Sequence, residues 1–269
     1  MIDLTPDQFR QLGYRAVDLI AEQLATLPEA PCRRRVPDAL RQRLLGQPLP
    51  GQGRPAGEVL DTVAESVLPY PMGNISPRFF AWVNSPAAPL AVLAELLAAG
   101  LNSSVAGGDH AATYVEHAVL GWLKRLLDYP VESGSLLISG GSMANLVGLA
   151  VMRFVKAQGA IRARGFRDEV APMVVYTSAQ GHSCIEKAVE LLGIGHDYLR
   201  KIATDRDQRI DMERLQAQIA ADRAAGLRPV CVVASAGTVN TGAIDPLGAL
   251  ADLCAAEGLW FHVDGAYGG

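Results

Sequence analysis

The sequence predicts an α/β protein: a mainly parallel sheet covered by helices, preceded by a helical N-terminal arm. Two observations carry this. From residue 136 onward, short apolar runs of strand length trade places with helix-length stretches about every ten to fifteen residues, which demands crossover connections. The 269 residues are 49% hydrophobic and 19% charged, a balance that suits a globular chain with a sizeable core.

The arm spans residues 1–75. Thr5 and Pro6 read as an N-cap and first helical residue. Phe9, Leu12, Ala16, Leu19, Ile20, Leu24 and Leu27 then recur on one helical face until Pro28 and Pro31 end it. Up to Pro71 the chain is rich in proline, glycine and arginine, with short helical patterns at Pro37–Leu45 and Ala56–Leu68. Such an arm has too little apolar surface for its own core, so it is expected to lie against the main body or a second subunit. Arg33, Arg34 and Arg35 read as a solvated patch.

Residues 76–269 form the larger domain. The segment NISPRFFAWVNSP (74–86) concentrates aromatics between prolines. Phe79 is expected to dock on the core, and Phe80 and Trp82 are candidates to line an apolar substrate pocket. Pro86–Leu101 is almost entirely apolar and is expected to be buried all round. Asn102-Ser103-Ser104 and Gly107-Gly108 form a polar connection to an amphipathic helix, Asp109–Asp128, with Val115, Val119, Leu123 and Leu126 on its apolar face. Strands are predicted at Leu136–Ile138, Met173–Tyr176, Tyr198–Ile202, Val230–Val233 and Leu259–Val263. Helices are predicted between them at Ser142–Gln158, Ser183–Leu192, Met212–Ala225 and Pro246–Glu257.

Three strand ends carry chemistry. Ser139-Gly140-Gly141-Ser142 opens a helix: the glycines admit an anion close to the backbone, and the helix start adds free N–H groups and the Ser142 hydroxyl. Alone, that pattern also fits a tight turn with a cap. It matches no nucleotide fingerprint, since G-x-x-x-x-G-K-[ST] is absent and Gly193-x-Gly195 lacks a third glycine. His182 follows the second strand, where a lone histidine is either a cap or a flat ring that stacks and moves protons. Asp264 ends the last strand, before Gly265, Ala266 and Tyr267. It is either a turn former or a partly dry carboxylate able to pair with a cationic ring nitrogen. Thr238 lies where a neighbouring strand ends in small and hydroxylated residues. A parallel sheet brings strand C-termini to one rim. A phosphate holder, a stacking ring and a carboxylate there compose a pyridoxal 5'-phosphate site, because that cofactor's pyridine acts as an electron sink when an acid keeps it charged.

With these residues in hand, the chain resembles the group II pyridoxal-phosphate-dependent decarboxylases, the aromatic L-amino acid decarboxylase family. The likeness covers nearly the whole chain through PRFFAWVNSP, DHAATYVE, SGGSMANL, GHSCIEKA, SAGTVNTGAIDP and HVDGAYGG, in family order. It implies the large domain of the aspartate-aminotransferase type and decarboxylation of an L-amino acid, aromatic by family, to the amine and carbon dioxide. By the same resemblance Gly141 and Ser142 hold the phosphate and His182 stacks on the pyridine. Thr238 lies close to the cofactor, Asp264 pairs with the ring nitrogen, and Ala266 packs on the ring's other face. Phe80 and Trp82 match positions near the substrate side chain. A homodimer with its active site at the subunit boundary is implied as well. The family's Schiff-base lysine lies in a His-Lys dipeptide a few tens of residues beyond HVD, and Lys156, Lys187 and Lys201 stand in no equivalent context. The expectation is therefore an incomplete copy without that lysine and without the small C-terminal domain. Such a copy would hold the cofactor weakly, unless a complementary chain supplies the lysine.

Other classes are weighed against this one. The net charge of −4 and the absence of a long basic block argue against nucleic acid, and no apolar stretch has the length and purity of a membrane span. The N-terminus lacks a signal pattern, and Cys32, Cys184, Cys231 and Cys254 are scattered, as in reduced cytoplasmic proteins. No metal is expected. A competing reading takes His262-x-Asp264 as ligands of a metal-dependent oxygenase, completed by His182, His196 or an upstream histidine. A further one is an inactive family member that binds or regulates a partner chain.

Overall fold

The computed structural model describes residues 4–104, 109–158, 161–168 and 171–269. The chain divides into two compact units, Met1–Asn102 and Ser103–Gly269. Gly107 and Gly108, read as a polar connection, lie outside the described residues.

The first unit holds helices α1 (Pro6–Thr26), α2 (Asp38–Leu45), α3 (Ala56–Ser66) and α4 (Pro89–Leu101). The α1 start is a capping box: the Gln8 N–H donates to the Thr5 hydroxyl, and the Thr5 N–H donates to the Gln8 side chain. Helices α1 and α3 pack together and are tied by the Arg15–Asp61 ion pair. The expectation that the apolar helix is buried all round fails. Leu90 is 77% exposed, Leu97 and Leu101 are similarly open, and α4 has no buried residue. Apolar composition states a demand for cover; the cover itself must come from a neighbouring surface.

The second unit starts with α5 (Ala111–Leu126) and α6 (Gly141–Lys156), followed by the short α7 (Ile161–Arg164). Strict alternation follows: β1 (Met173–Ser178), α8 (Cys184–Leu191), β2 (Leu199–Ile202), α9 (Met212–Ala224), β3 (Arg228–Ser235), α10 (Leu247–Glu257) and β4 (Trp260–Asp264). The strands form a parallel sheet in the order β2-β1-β3-β4. Every residue of β1 is buried, as a strand covered on both faces requires. Val175 and Val233 face a core with Leu149 and Met152 of α6 and Ile185 and Val189 of α8. Val174, Tyr176 and Val232 face the opposite core, with Leu215 and Ile219 of α9 and Leu250 of α10. Alternate side chains of one strand thus feed opposite layers.

Two expectations need correction. Leu136–Ile138 forms no strand; Leu136 and Leu137 are exposed, and the segment joins no ladder among the described residues. An apolar run becomes a strand only when another strand's edge accepts its hydrogen bonds, and sequence pattern does not supply that partner. In α5 the buried residue is Leu120, whereas Val115, Leu123 and Leu126 are exposed, so the covered face is rotated from the predicted one.

After β2 the chain returns across β1 to lay down β3 on its other side. That reversal opens a crevice at the C-terminal ends of β1 and β3, where open α/β sheets take their ligands.

Candidate active site

The loops leaving β1, β3 and β4, with the start of α6, build this rim. Gly140, with φ 83°, is the cap residue of α6, so the chain turns into the helix in a conformation that favours glycine. Gly141 and Ser142 follow in the first turn; the Met143 and Ala144 N–H groups donate to the Gly140 carbonyl, whereas those of Gly141 and Ser142 have no acceptor among the described residues. The helix predicted to start at Ser142 thus starts one residue earlier, at Gly141. A Cβ on Gly141 would stand 3.3 Å from the Ala266 Cβ, so the glycine cup touches the turn after β4.

Asp264 ends β4 opposite Ser235 of β3. Its Oδ1 accepts the Ala266 N–H at 3.2 Å, and its carbonyl accepts the Ala236 N–H at 2.9 Å. The carboxylate is half-buried. The loop after β3 packs against the same turn, with the Tyr267 ring over Gly237. Thr238 is buried in that loop; its hydroxyl meets the Thr241 hydroxyl at 2.7 Å and its N–H donates to the Ala243 carbonyl.

His182 precedes α8, exposed, with its Nδ1 accepting the Cys184 N–H at 3.1 Å. Cys184 connects this corner to the rest. Its sulfur accepts from the Asn145 Nδ2 at 3.3 Å and from the Ser142 hydroxyl, and it lies within electrostatic reach of Asp264. Burial foremost, with Asp264 adding to it, pushes the Cys184 thiol up, against the pull of its hydrogen-bond donors. Asn145 Oδ1 in turn lies 2.7 Å from His262 Nε2. The His262 ring is pressed on α6, where a Cβ at Gly148 would approach its Cε1 to 2.6 Å. Burial lowers the basicity of His262, and Asp264 opposes that shift.

The structure thus gathers Gly141, Ser142, Thr238, Asp264 and Ala266 on one rim, with His182 two residues from Cys184. Sequence reasoning missed Asn145, Cys184 and Asp245. Asp245 is buried and accepts the N–H groups of Ile210 and Ser235 at 2.7 and 2.8 Å, which pins the loop carrying Thr238. One signal was available for Asn145: it lies four residues after Gly141, on the same face of α6.

Phe80 and Trp82 belong to the first unit. Phe80 is 93% exposed. Trp82, also exposed and at φ 58°, tilts against the half-buried Phe79 at 6.0 Å between centroids. Trp82 and Phe79 line a cavity of about 760 Å³ with Tyr70, Arg33, Arg34 and Arg35.

The metal reading finds no support here. His262 Nε2 is engaged by Asn145, and His196 pairs with Glu190 and Asp197. No cluster of three potential ligands occurs among the described residues. No helix among them is long and apolar enough to cross a membrane, and all four cysteines are free.

Chemically, the rim suits a small ligand with an anionic end and a flat cationic end. The N–H groups of Gly141 and Ser142 and the Ser142 hydroxyl lie at one side, and the Asp264 carboxylate at the other.

Known proteins agree with this outline. The family described as "Pyridoxal-dependent decarboxylase conserved domain" matches residues 37–269. An aromatic-L-amino-acid decarboxylase of Bacillus atrophaeus is 36% identical over 99% of this chain and 54% of its own length. A solved glutamate decarboxylase domain from the Vibrio parahaemolyticus diaminobutyrate protein superposes with TM-score 0.86 at 28% identity, covering 100% of this chain and 60% of that one. Oryza sativa TDC, solved with PLP and tryptamine, gives TM-score 0.84 at 30% identity, covering 98% and 56%. The chain spans about half the length of the curated relatives it matches.

Proposed function

The chain belongs to the pyridoxal-dependent decarboxylase family, and on that footing we propose that it binds pyridoxal 5'-phosphate and serves the decarboxylation of an L-amino acid of the aromatic class to its amine. When bound, the cofactor supplies the electron sink for the electrons left behind as carbon dioxide departs. The chain's own residues bind, orient and tune. The first turn of α6, at Gly141 and Ser142, takes the phosphate through backbone N–H groups and a hydroxyl. Asp264 holds the pyridine nitrogen in its protonated form. Ala266 is small enough to lie against one ring face, and His182 offers its own ring to the other. Thr238 presents a hydroxyl at the cofactor's edge. Phe80 and Trp82, exposed aromatics, are assigned to the substrate side chain from the family positions they match. The working unit is a homodimer, a reading supported by the uncovered leucines of α4.

The observation that carries this reading is the contact between Gly141 and Ala266, two residues from Asp264. It brings an anion-binding helix start within one small molecule of a carboxylate. The test adds pyridoxal phosphate and aromatic L-amino acids to the whole protein and measures carbon dioxide release, in the wild type and in Asp264→Ala. With a lysine-bearing segment or complementary chain present, saturable release is expected, falling about a hundredfold in the variant, the scale for losing one partner of a desolvated charge pair; residues 1–269 alone are expected to release little. Undiminished release by Asp264→Ala would remove the assignment.

A further inference from the structure

We propose that Asn145 is a positioning residue for Asp264: its carboxamide, held between the Cys184 thiol and the His262 imidazole, keeps His262 neutral as the Nε2–H tautomer. The charge of Asp264 is then left for a ligand and not spent on a protein cation. This deepens the functional reading above and rests on it.

The geometry is specific. Asn145 is 4% exposed, and both ends of its amide are committed: Nδ2 to Cys184 Sγ at 3.3 Å and Oδ1 to His262 Nε2 at 2.7 Å. A carboxamide oxygen can only accept, so Nε2 must carry the proton. The other ring nitrogen faces α6, 2.9 Å from where a Gly148 Cβ would stand, and makes no hydrogen bond among the described residues. No side chain among the described residues is placed to accept a second proton there. His262 and Asp264 are two residues apart on β4 and so point to the same face of the sheet. Of the titratable groups on the elements packed around the imidazole, Asp264 reaches it electrostatically, and Cys184 of α8 is linked to it through Asn145.

The alternative tenant of this position makes the purpose plain. A charged imidazolium beside Asp264 would neutralise it, and a ring nitrogen would then have to compete for the carboxylate. An acceptor that is itself uncharged satisfies the imidazole without inviting that second proton. An aspartate of the same shape would invite it. Asn145 thereby separates two jobs that a carboxylate would merge: holding the histidine and setting its charge.

The experiment uses the protein with ¹⁵N-labelled histidine and reads the His262 tautomer by long-range proton–nitrogen correlation between pH 6 and 8. Pyridoxal phosphate titrations and thermal melts accompany it, in the wild type, Asn145→Asp and Asn145→Leu. The wild type is expected to show neutral, Nε2-protonated His262 throughout. Asn145→Asp is expected to protonate His262 in that range and weaken pyridoxal phosphate binding about tenfold or more, with Asn145→Leu, which adds no charge, weakening it less. A merely structural role predicts the same loss in both variants, in step with their melting temperatures. That outcome, an Nδ1–H tautomer, or a charged His262 in the wild type each overturns the proposal. The wild-type tautomer is decisive even if both variants misfold. Wild-type protein that binds no pyridoxal phosphate overturns the functional reading and this one with it, whereas binding alongside the wrong tautomer overturns this one alone.

Discussion

Gly148 is where the helix layer meets the site most tightly. It lies in the middle of α6, a position that normally disfavours glycine. The reason is the His262 ring, which leaves no room for a side chain. Gly148→Ala is therefore expected to destabilise the protein by about 1–3 kcal/mol, since a methyl group 2.6 Å from Cε1 forces ring or helix to move. In a solvent-facing helix the same change would stabilise. A thermal melt of the variant decides between the two signs. At this scale the sequence was only half legible. Asp264, His182 and the Gly141–Ser142 pair stand at strand or helix ends, where breaker residues announce them. Asn145 lies inside α6 and Cys184 is the first residue of α8, and both resemble ordinary small or polar helix residues. Only the packing of α6 and α8 brings their side chains together and reveals that they link the glycine cup to His262.

Among elements, β1, β2 and α9 are locked by a buried cluster. Asp222 near the end of α9 accepts the Tyr176 hydroxyl at 2.9 Å and takes Arg200 of β2 through Nε at 3.1 Å and Nη2 at 2.7 Å. Burial alone would raise the Asp222 carboxyl, but the Arg200 guanidinium and the Tyr176 hydroxyl outweigh it and hold it below its ordinary value. A folded value below the unfolded one means stabilisation present in full above the unfolded pKa of about 3.9 and lost as pH falls through the folded value. Arg200→Met leaves a buried carboxylate without its cation and is expected to cost about 3 kcal/mol at neutral pH. That deficit should shrink as pH falls through the folded value and Asp222 takes up a proton. Urea unfolding at pH 7 and near pH 3 checks it, and an equal deficit at both would contradict the pairing. Element positions from Met173 onward were readable in the sequence to within about three residues, because strand-length apolar runs alternate with capped helices there. Leu136–Ile138 was not readable as unpaired, since its pattern is that of a strand and its pairing is non-local. The α5 face was misjudged for a related reason: several apolar stripes compete on that helix, and only neighbours choose among them.

For the whole molecule, the parallel sheet and the rim follow from alternation and from the side-switch after β2. The exposure of α4 does not, because composition cannot say which surface will cover a helix. The family assignment rests on the match over residues 37–269 together with the rim's geometry. The central claim is that one small cofactor spans from the α6 start to Asp264. A crystal structure of the protein soaked with pyridoxal phosphate tests it most directly. The account predicts the phosphate on the N–H groups of Gly141 and Ser142 and the pyridine nitrogen within about 3 Å of an Asp264 oxygen. Cofactor bound elsewhere, or bound with its nitrogen turned away from Asp264, would contradict it.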